Sequence, residues 1–240
     1  MESFRKFYPD ASLFVVNDGG YDYTDYCKRA GAVYSYVAKE SNMGKPLAYT
    51  SKEAVLAYLK RLWDIFPRMK ESHFILLEDD VRILRRHTLP FRHTVNGCNR
   101  AVRLPDCMLR MLRARSGGYV GPEYYGGCGG CVLDKTFFER IPFADVERLL
   151  TETGLTEFHT DQLFSYIALY FGGTVGDYDE FDERFYSDIV MRLVTDRVAF
   201  LHQYKFDYGV PPTAEQNARL GSYGAEKDPV KSFALETVLK

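Results

Sequence analysis

No apolar run in this chain approaches the ~20 residues that a membrane-spanning helix needs, and the N-terminus is polar and charged rather than signal-like. The expectation is a soluble, cytoplasmic chain with no membrane span. Neither sign of charge is in excess: 31 basic residues against 33 acidic ones leave a formal charge of −2. No global field therefore favours nucleic acid or an anionic membrane, and partners must be recognised locally. Cysteine is sparse and odd in number, five in all, with no secretory pattern around it. That argues against a disulfide framework and for a reducing compartment. Cys128-Gly129-Gly130-Cys131 has the two-residue gap of a zinc knuckle, but Cys98 and Cys107 do not supply a second pair, so zinc is not expected. The glycine-rich stretch around Cys128 lacks the Lys-Ser/Thr ending of a phosphate-binding loop. No repeat and no separate linker divides the chain.

What the sequence does contain is normal apolar content, 46% over 240 residues, enough for one large α/β domain. Aromatics are abundant, with 18 Tyr and 17 Phe, and they suit both core packing and stacking on bases or sugars. The most informative stretch is Phe74-Ile75-Leu76-Leu77-Glu78-Asp79-Asp80-Val81. Four apolar residues are too few for a helix core and predict a strand buried on both faces. Three adjacent carboxylates at its carboxyl end repel one another unless a cation or strong donors are present, and that edge is where ligands bind in open α/β sheets. A solvated acidic turn is the alternative.

Around this strand the pattern is strand, helix, strand, helix, strand, which predicts parallel pairing with right-handed crossovers. A helix tail over 2–8 ends before Pro9. Ser12 to Val16 forms a short strand running into the turn Asn17-Asp18-Gly19-Gly20, where Asp18 either accepts from a ligand N–H or merely shapes the turn. Thr24 to Ala30 is a short helix with Gly31 at its end, and Ala32 to Val37 the next strand. After the loop Asn42-Met43-Gly44-Lys45, Thr50 and Glu53 have capping-box spacing. Val55, Leu59, Leu62 and Phe66 then recur at helical intervals before Pro67. Residues 82–116 are arginine-rich and predict a solvated, partly helical excursion. Asp134 caps one helix, Phe143 to Leu150 forms another, and the segment Thr156 to Gln162 opens a third that runs to Phe171. Val198 to Leu201 is a short apolar run that delivers His202. Residues 211–240 lose aromatics and predict a peripheral tail with one late helix.

The order of these elements resembles the GT-A class of nucleotide-sugar glycosyltransferases, over roughly residues 10 to 205. Val15-Val16-Asn17-Asp18-Gly19-Gly20 is similar to the base-contacting segment of family-2-like members, and Asn42-Met43-Gly44-Lys45 to their Asn-x-Gly segment. Leu76-Leu77-Glu78-Asp79-Asp80-Val81 is close to the D-x-D-type motif in the Glu-Asp-Asp form of N-acetylglucosaminyltransferase I. Tyr125-Gly126-Gly127-Cys128-Gly129-Gly130 resembles the glycine-rich donor/acceptor loop, Glu157 to Gln162 the acidic catalytic segment, and Leu201-His202 the late metal-binding histidine.

The resemblance implies a GT-A-like, Rossmann-like α/β domain over 1–210. It implies a mostly parallel sheet flanked by helices whose usual first strand is missing here, with 211–240 as the tail. It implies a UDP-sugar or similar donor, a glycan or other hydroxyl acceptor, and Mn²⁺ or Mg²⁺ on Asp80, Glu78 and His202. Asn17, Asp18, Asn42, Lys45, Glu78, Asp79, Gly129 and Gly130 would contact the donor. Asp161, with Glu157 in reserve, would be the general base of an inverting transfer; a helix-end charge is the alternative for Asp161. A metal-dependent nucleotidyltransferase or phosphohydrolase would also use carboxylates at a strand end. A non-catalytic nucleotide-sugar or carbohydrate-binding module is the third reading.

Overall fold

The computed structural model describes residues 2–16, 22–35, 52–77, 81–97, 103–117, 121, 130–154, 160–183 and 198–202. In chain order these form α1 (Glu2–Phe7), β1 (Phe14–Val16), α2 (Thr24–Arg29), β2 (Val33–Ser35) and α3 (Lys52–Ile65), the last extended by a 3-10 turn over Phe66–Arg68. Next come β3 (His73–Ile75), β4 (Arg82–Ile83), β5 (Val95–Gly97), α4 (Asp106–Ser116), β6 (Val132–Asp134), α5 (Lys135–Glu139) and α6 (Phe143–Thr153). The chain continues through α7 (Thr160–Tyr170), β7 (Val175–Asp177), β8 (Phe181–Glu183) and β9 (Phe200–His202). The protein is a mixed α/β structure.

Among the described residues the strands form three small sheets: β1-β2, β3-β6-β5-β7 and β4-β9-β8. The first is the expected parallel pair with α2 as its crossover. The others are mixed, where mostly parallel pairing was expected. β6 runs antiparallel to both of its neighbours, β3 and β5, while β5 and β7 are parallel. Apolar content explains why the sequence hid this. Val132 and Leu133 are buried on opposite faces of β6, so the strand is an apolar run whichever way it points.

The two faces of the four-stranded sheet bury different cores. Phe74, Val95, Cys131 and Leu133 pack with α3, α4, α6 and α7 on one side. Val132 and the inward half of Ile75 pack on the other with Phe4 and Tyr8 of the α1 region, Ile83 of β4 and Phe200 of β9. α3 presents Val55 and Leu59, both fully buried, and Trp63, whose Nε1 donates to Ile141 O at 2.8 Å. Truncating Leu59 to alanine in such a site costs about 2–5 kcal/mol. The arginine-rich segment is not a solvated excursion. It contains β4, β5 and α4, and Val95, Leu104, Met108, Leu109 and Leu112 are core residues, because the arginines occupy only the outward positions of α4. After α7 the chain turns through Gly173, where a Cβ would lie 2.8 Å from Thr94 Oγ1 and 3.0 Å from Ala168 O, so only glycine brings α7 this close to β5.

Candidate functional site

One cavity of about 760 Å³ runs along β1 and β3, from Ser12 and Glu71 before the two strands to Val16 and Leu77 at their carboxyl ends. Val16 lines it from β1, and Leu76 and Leu77 from the chain leaving β3. In the sequence the next residues are Asn17-Asp18 in the first case and Glu78-Asp79-Asp80 in the second. The two segments singled out from the sequence thus leave from the rim of a common cavity. Their own side chains lie outside the described residues, as do Asn42, Lys45, Gly129 and Glu157.

Gly130 is described, and it is tied to the same rim. Its φ of 84° is open to glycine at little cost, and its N–H donates to Leu76 O at 2.6 Å while Leu76 N–H donates to Cys131 O at 3.3 Å. Two residues of one strand oppose one of the other, which is a glycine bulge. It pins the end of the glycine-rich stretch to the residue two places before Glu78.

His202 closes β9. The antiparallel register sets Arg82 opposite Leu201 and Ile83 opposite Phe200. The late histidine thus follows, in β9, the residue paired with Arg82, which lies two places after Asp80 in the chain. On its other side, parallel β8 sets Glu183 opposite His202, a neighbour that chain order did not reveal. Asp161 lies in the first turn of α7, a helix that packs against β5 and β7 at the end of the sheet away from β3. No group of three or more potential metal ligands forms among the described residues, which do not include the carboxylate triplet.

The flank of the cavity is aromatic and held by two polar clusters. His87 stacks near Phe91 (4.7 Å between ring centres) and Tyr8 (5.8 Å), and Phe91 contacts His73 at 5.0 Å. The Tyr8 hydroxyl accepts from His87 N–H at 3.0 Å and sits 2.7 Å from His87 Nδ1, so its own proton is free to go to that nitrogen. Burial lowers the pKa of both His73 and His87, against the opposing pull of Asp134 on the first and Glu180 on the second, which favours neutral rings. Tyr8 is raised, chiefly by burial.

The second cluster is centred on Glu180. Its carboxylate accepts from Arg85 Nη2 (2.7 Å), Thr88 N–H (2.8 Å), Thr88 Oγ1 (2.6 Å), Leu89 N–H (3.1 Å) and the Tyr178 hydroxyl (2.6 Å). Burial alone would push this carboxyl up, but the bonds from Thr88, Tyr178 and Arg85 outweigh it and hold the group at about 2. Tyr178 is raised in turn, by burial and by the adjacent carboxylate. Sequence reading missed this cluster because its members lie about ninety residues apart, with no local motif to join them.

No protein-family model, no curated protein and no solved structure matches this chain.

Proposed function

We propose that this protein is a metal-dependent glycosyltransferase of the GT-A kind, moving a sugar from a nucleotide-diphosphate donor, a UDP-sugar, to a hydroxyl acceptor with inversion. The observation that carries the reading is the common cavity lined by Val16 and Leu77, the residues that hand the chain on to Asn17-Asp18 and to Glu78-Asp79-Asp80. A base-recognising turn and a phosphate-side acidic triplet need such adjacent strand ends. The antiparallel pairing of Arg82 with Leu201 brings the end of β9, where His202 lies, to the strand that follows the triplet.

Carboxylate oxygens with one imidazole suit Mn²⁺ or Mg²⁺, and Asp80, Glu78 and His202 are the residues that would hold it. When bound, the ion would stabilise the negative charge developing on the departing diphosphate. Asp18 would accept from a ring N–H of the base, with Asn17 beside it in contact with the donor, while Asp79, Asn42 and Lys45 would meet the ribose and diphosphate. Gly129 and Gly130, having no side chains, let the sugar approach the backbone. Asp161 would take the proton from the acceptor hydroxyl as it attacks the anomeric carbon, with Glu157 as the other carboxylate able to do so.

The test is calorimetry with UDP, with and without Mn²⁺. The parent should bind UDP more tightly with the ion present and prefer it to other nucleotides, and Asp80→Ala should lose the ion-dependent part while its melting temperature stays within a few degrees. Full Mn²⁺-dependent UDP binding by Asp80→Ala would overturn the assignment of the triplet. Equal binding of all nucleotides by the parent would overturn base recognition at Asp18.

A further inference from the structure

The region of α1 is fastened on two sides by ties of different chemistry. On one side Arg5 donates to Ala11 O (2.6 Å), Ala30 O (2.7 Å) and Gly31 O (2.8 Å), which fixes α1 to the β1-β2 pair. A guanidinium keeps its charge at any pH the protein meets, so this tie does not titrate. On the other side α1 packs against β4, and Tyr8 at its end is bonded to His87 in the segment after β4. The Tyr8 hydroxyl accepts from the His87 N–H and has no other hydrogen-bond partner among the described residues than His87 Nδ1, at 2.7 Å. Its own proton therefore finds an acceptor only at Nδ1, and only while that nitrogen carries no proton. This tie does titrate.

The surroundings of the imidazole set what a second proton on it costs. The ring is half-buried against Tyr8, Phe91 and Phe200. Arg85 and Arg86 in its own segment oppose a positive charge there, as does His73 of β3, which lies beyond Phe91. Glu180, in the turn before β8, favours that charge, but its carboxylate is already engaged by Arg85, Thr88, Leu89 and Tyr178. A proton on Nδ1 would also turn the nitrogen from acceptor to donor and leave the Tyr8 hydroxyl proton without an acceptor among the described residues.

We propose that the Tyr8–His87 pair is an acid-sensitive latch, which holds the end of α1 to residues 85–91 while the imidazole is neutral and releases it when the ring gains a proton. On release α1 stays on the β1-β2 pair, because the Arg5 tie is unaffected. Burial depresses the pKa of the closed ring, and the direction of the effect follows. The closed state is fully stabilised above the released ring's value of about 6.5 and loses that stability as pH falls through it towards the depressed one. One proton taken up per opening raises the open fraction by up to about tenfold per pH unit over that window.

The experiment is amide hydrogen exchange read by NMR on the full 240-residue chain between pH 7.5 and 5.0, with each rate divided by the intrinsic chemical rate at the same pH. The His87 amide should lose protection by up to about tenfold per pH unit below about 6.5. The amides of Val33 and Val95, held by Leu13 O and Thr174 O, should keep theirs. A titration of the imidazole signals in the same sample should place His87 below the ordinary histidine value. His87→Asn sets a carbonyl oxygen near the place of Nδ1 and cannot gain a proton there, so the amide at that position should stay protected at pH 5.0. Tyr8→Phe removes the hydroxyl, and the His87 amide should then be weakly protected at every pH. Unchanged protection of the His87 amide across the range, an equal loss at Val33 and Val95, a pH step that persists in His87→Asn, or an imidazole that titrates at or above the ordinary value would overturn the proposal. Neither UDP nor metal enters the assay, so its outcome is independent of the glycosyltransferase reading.

Discussion

Replacing Glu180 by glutamine tests the electrostatic account of the structure most directly. The carboxylate is 2% exposed and accepts from five donors, two of them on Thr88 and the others on Arg85, Leu89 and Tyr178. Its pKa of about 2, against an ordinary 4.5, corresponds to about 3 kcal/mol of folding stability at neutral pH. The sign follows from the depression: the contribution is fully present above the unfolded pKa and is lost as pH falls from 4.5 towards 2. Glutamine keeps the shape but turns an N–H₂ group towards donors and removes the carboxylate charge that Arg85 Nη2 meets at 2.7 Å. Urea unfolding should therefore show Glu180→Gln about 3 kcal/mol less stable than the parent at pH 7, with the gap shrinking to about half by pH 3. A gap that does not change with pH, or a variant as stable as the parent at pH 7, would refute the reasoning. The consequence reaches the site, since this cluster fixes residues 85–89 beside β4, and β4 pairs with β9, the strand that His202 ends.

Asp161→Asn should bind UDP and Mn²⁺ as the parent does, melt within a few degrees of it, and lose ~10²- to 10⁴-fold in transfer; a mere helix-end charge would instead cost ~0.3–1 kcal/mol of stability and leave transfer intact. For His202→Ala the expected order is a larger loss in Mn²⁺ affinity, read by calorimetry, than in melting temperature, and the reverse order would make it a structural histidine. Gly130→Ala forces a side chain into φ 84° and should cost about 1–2 kcal/mol in urea unfolding, with UDP binding weakened as the bulge beside Leu76 shifts; an unchanged midpoint would show that the bulge is not needed.

Much of the element list was legible because it rests on local rules. Helical spacing from Val55 to Phe66 became α3 and its closing turn, and Asp134 does cap α5 by accepting from Phe137 N–H at 3.1 Å. The apolar run before Glu78 is β3, although only His73–Ile75 pairs as a strand, and the run ending in Leu201 is β9 with His202 as its last residue. These follow from periodicity and capping, which act within a few residues.

Strand direction and long-range neighbours were settled only by tertiary packing. Nothing in Val132-Leu133 says that β6 must run against β3 and β5, since a strand buried on both faces looks the same in either direction. The arginines of 82–116 masked a core helix because charge count overrode spacing. Glu180 with Arg85 and Thr88, and Leu201 with Arg82, are joined across roughly a hundred residues by contacts that no local motif encodes. The sequence by itself determined where several of the short elements lie, α3, α6, β1 and β9 among them, and which carboxylates follow the strand ends. Only the folded chain decided which strand ends share a cavity, because that depends on how the two cores close on opposite faces of one sheet.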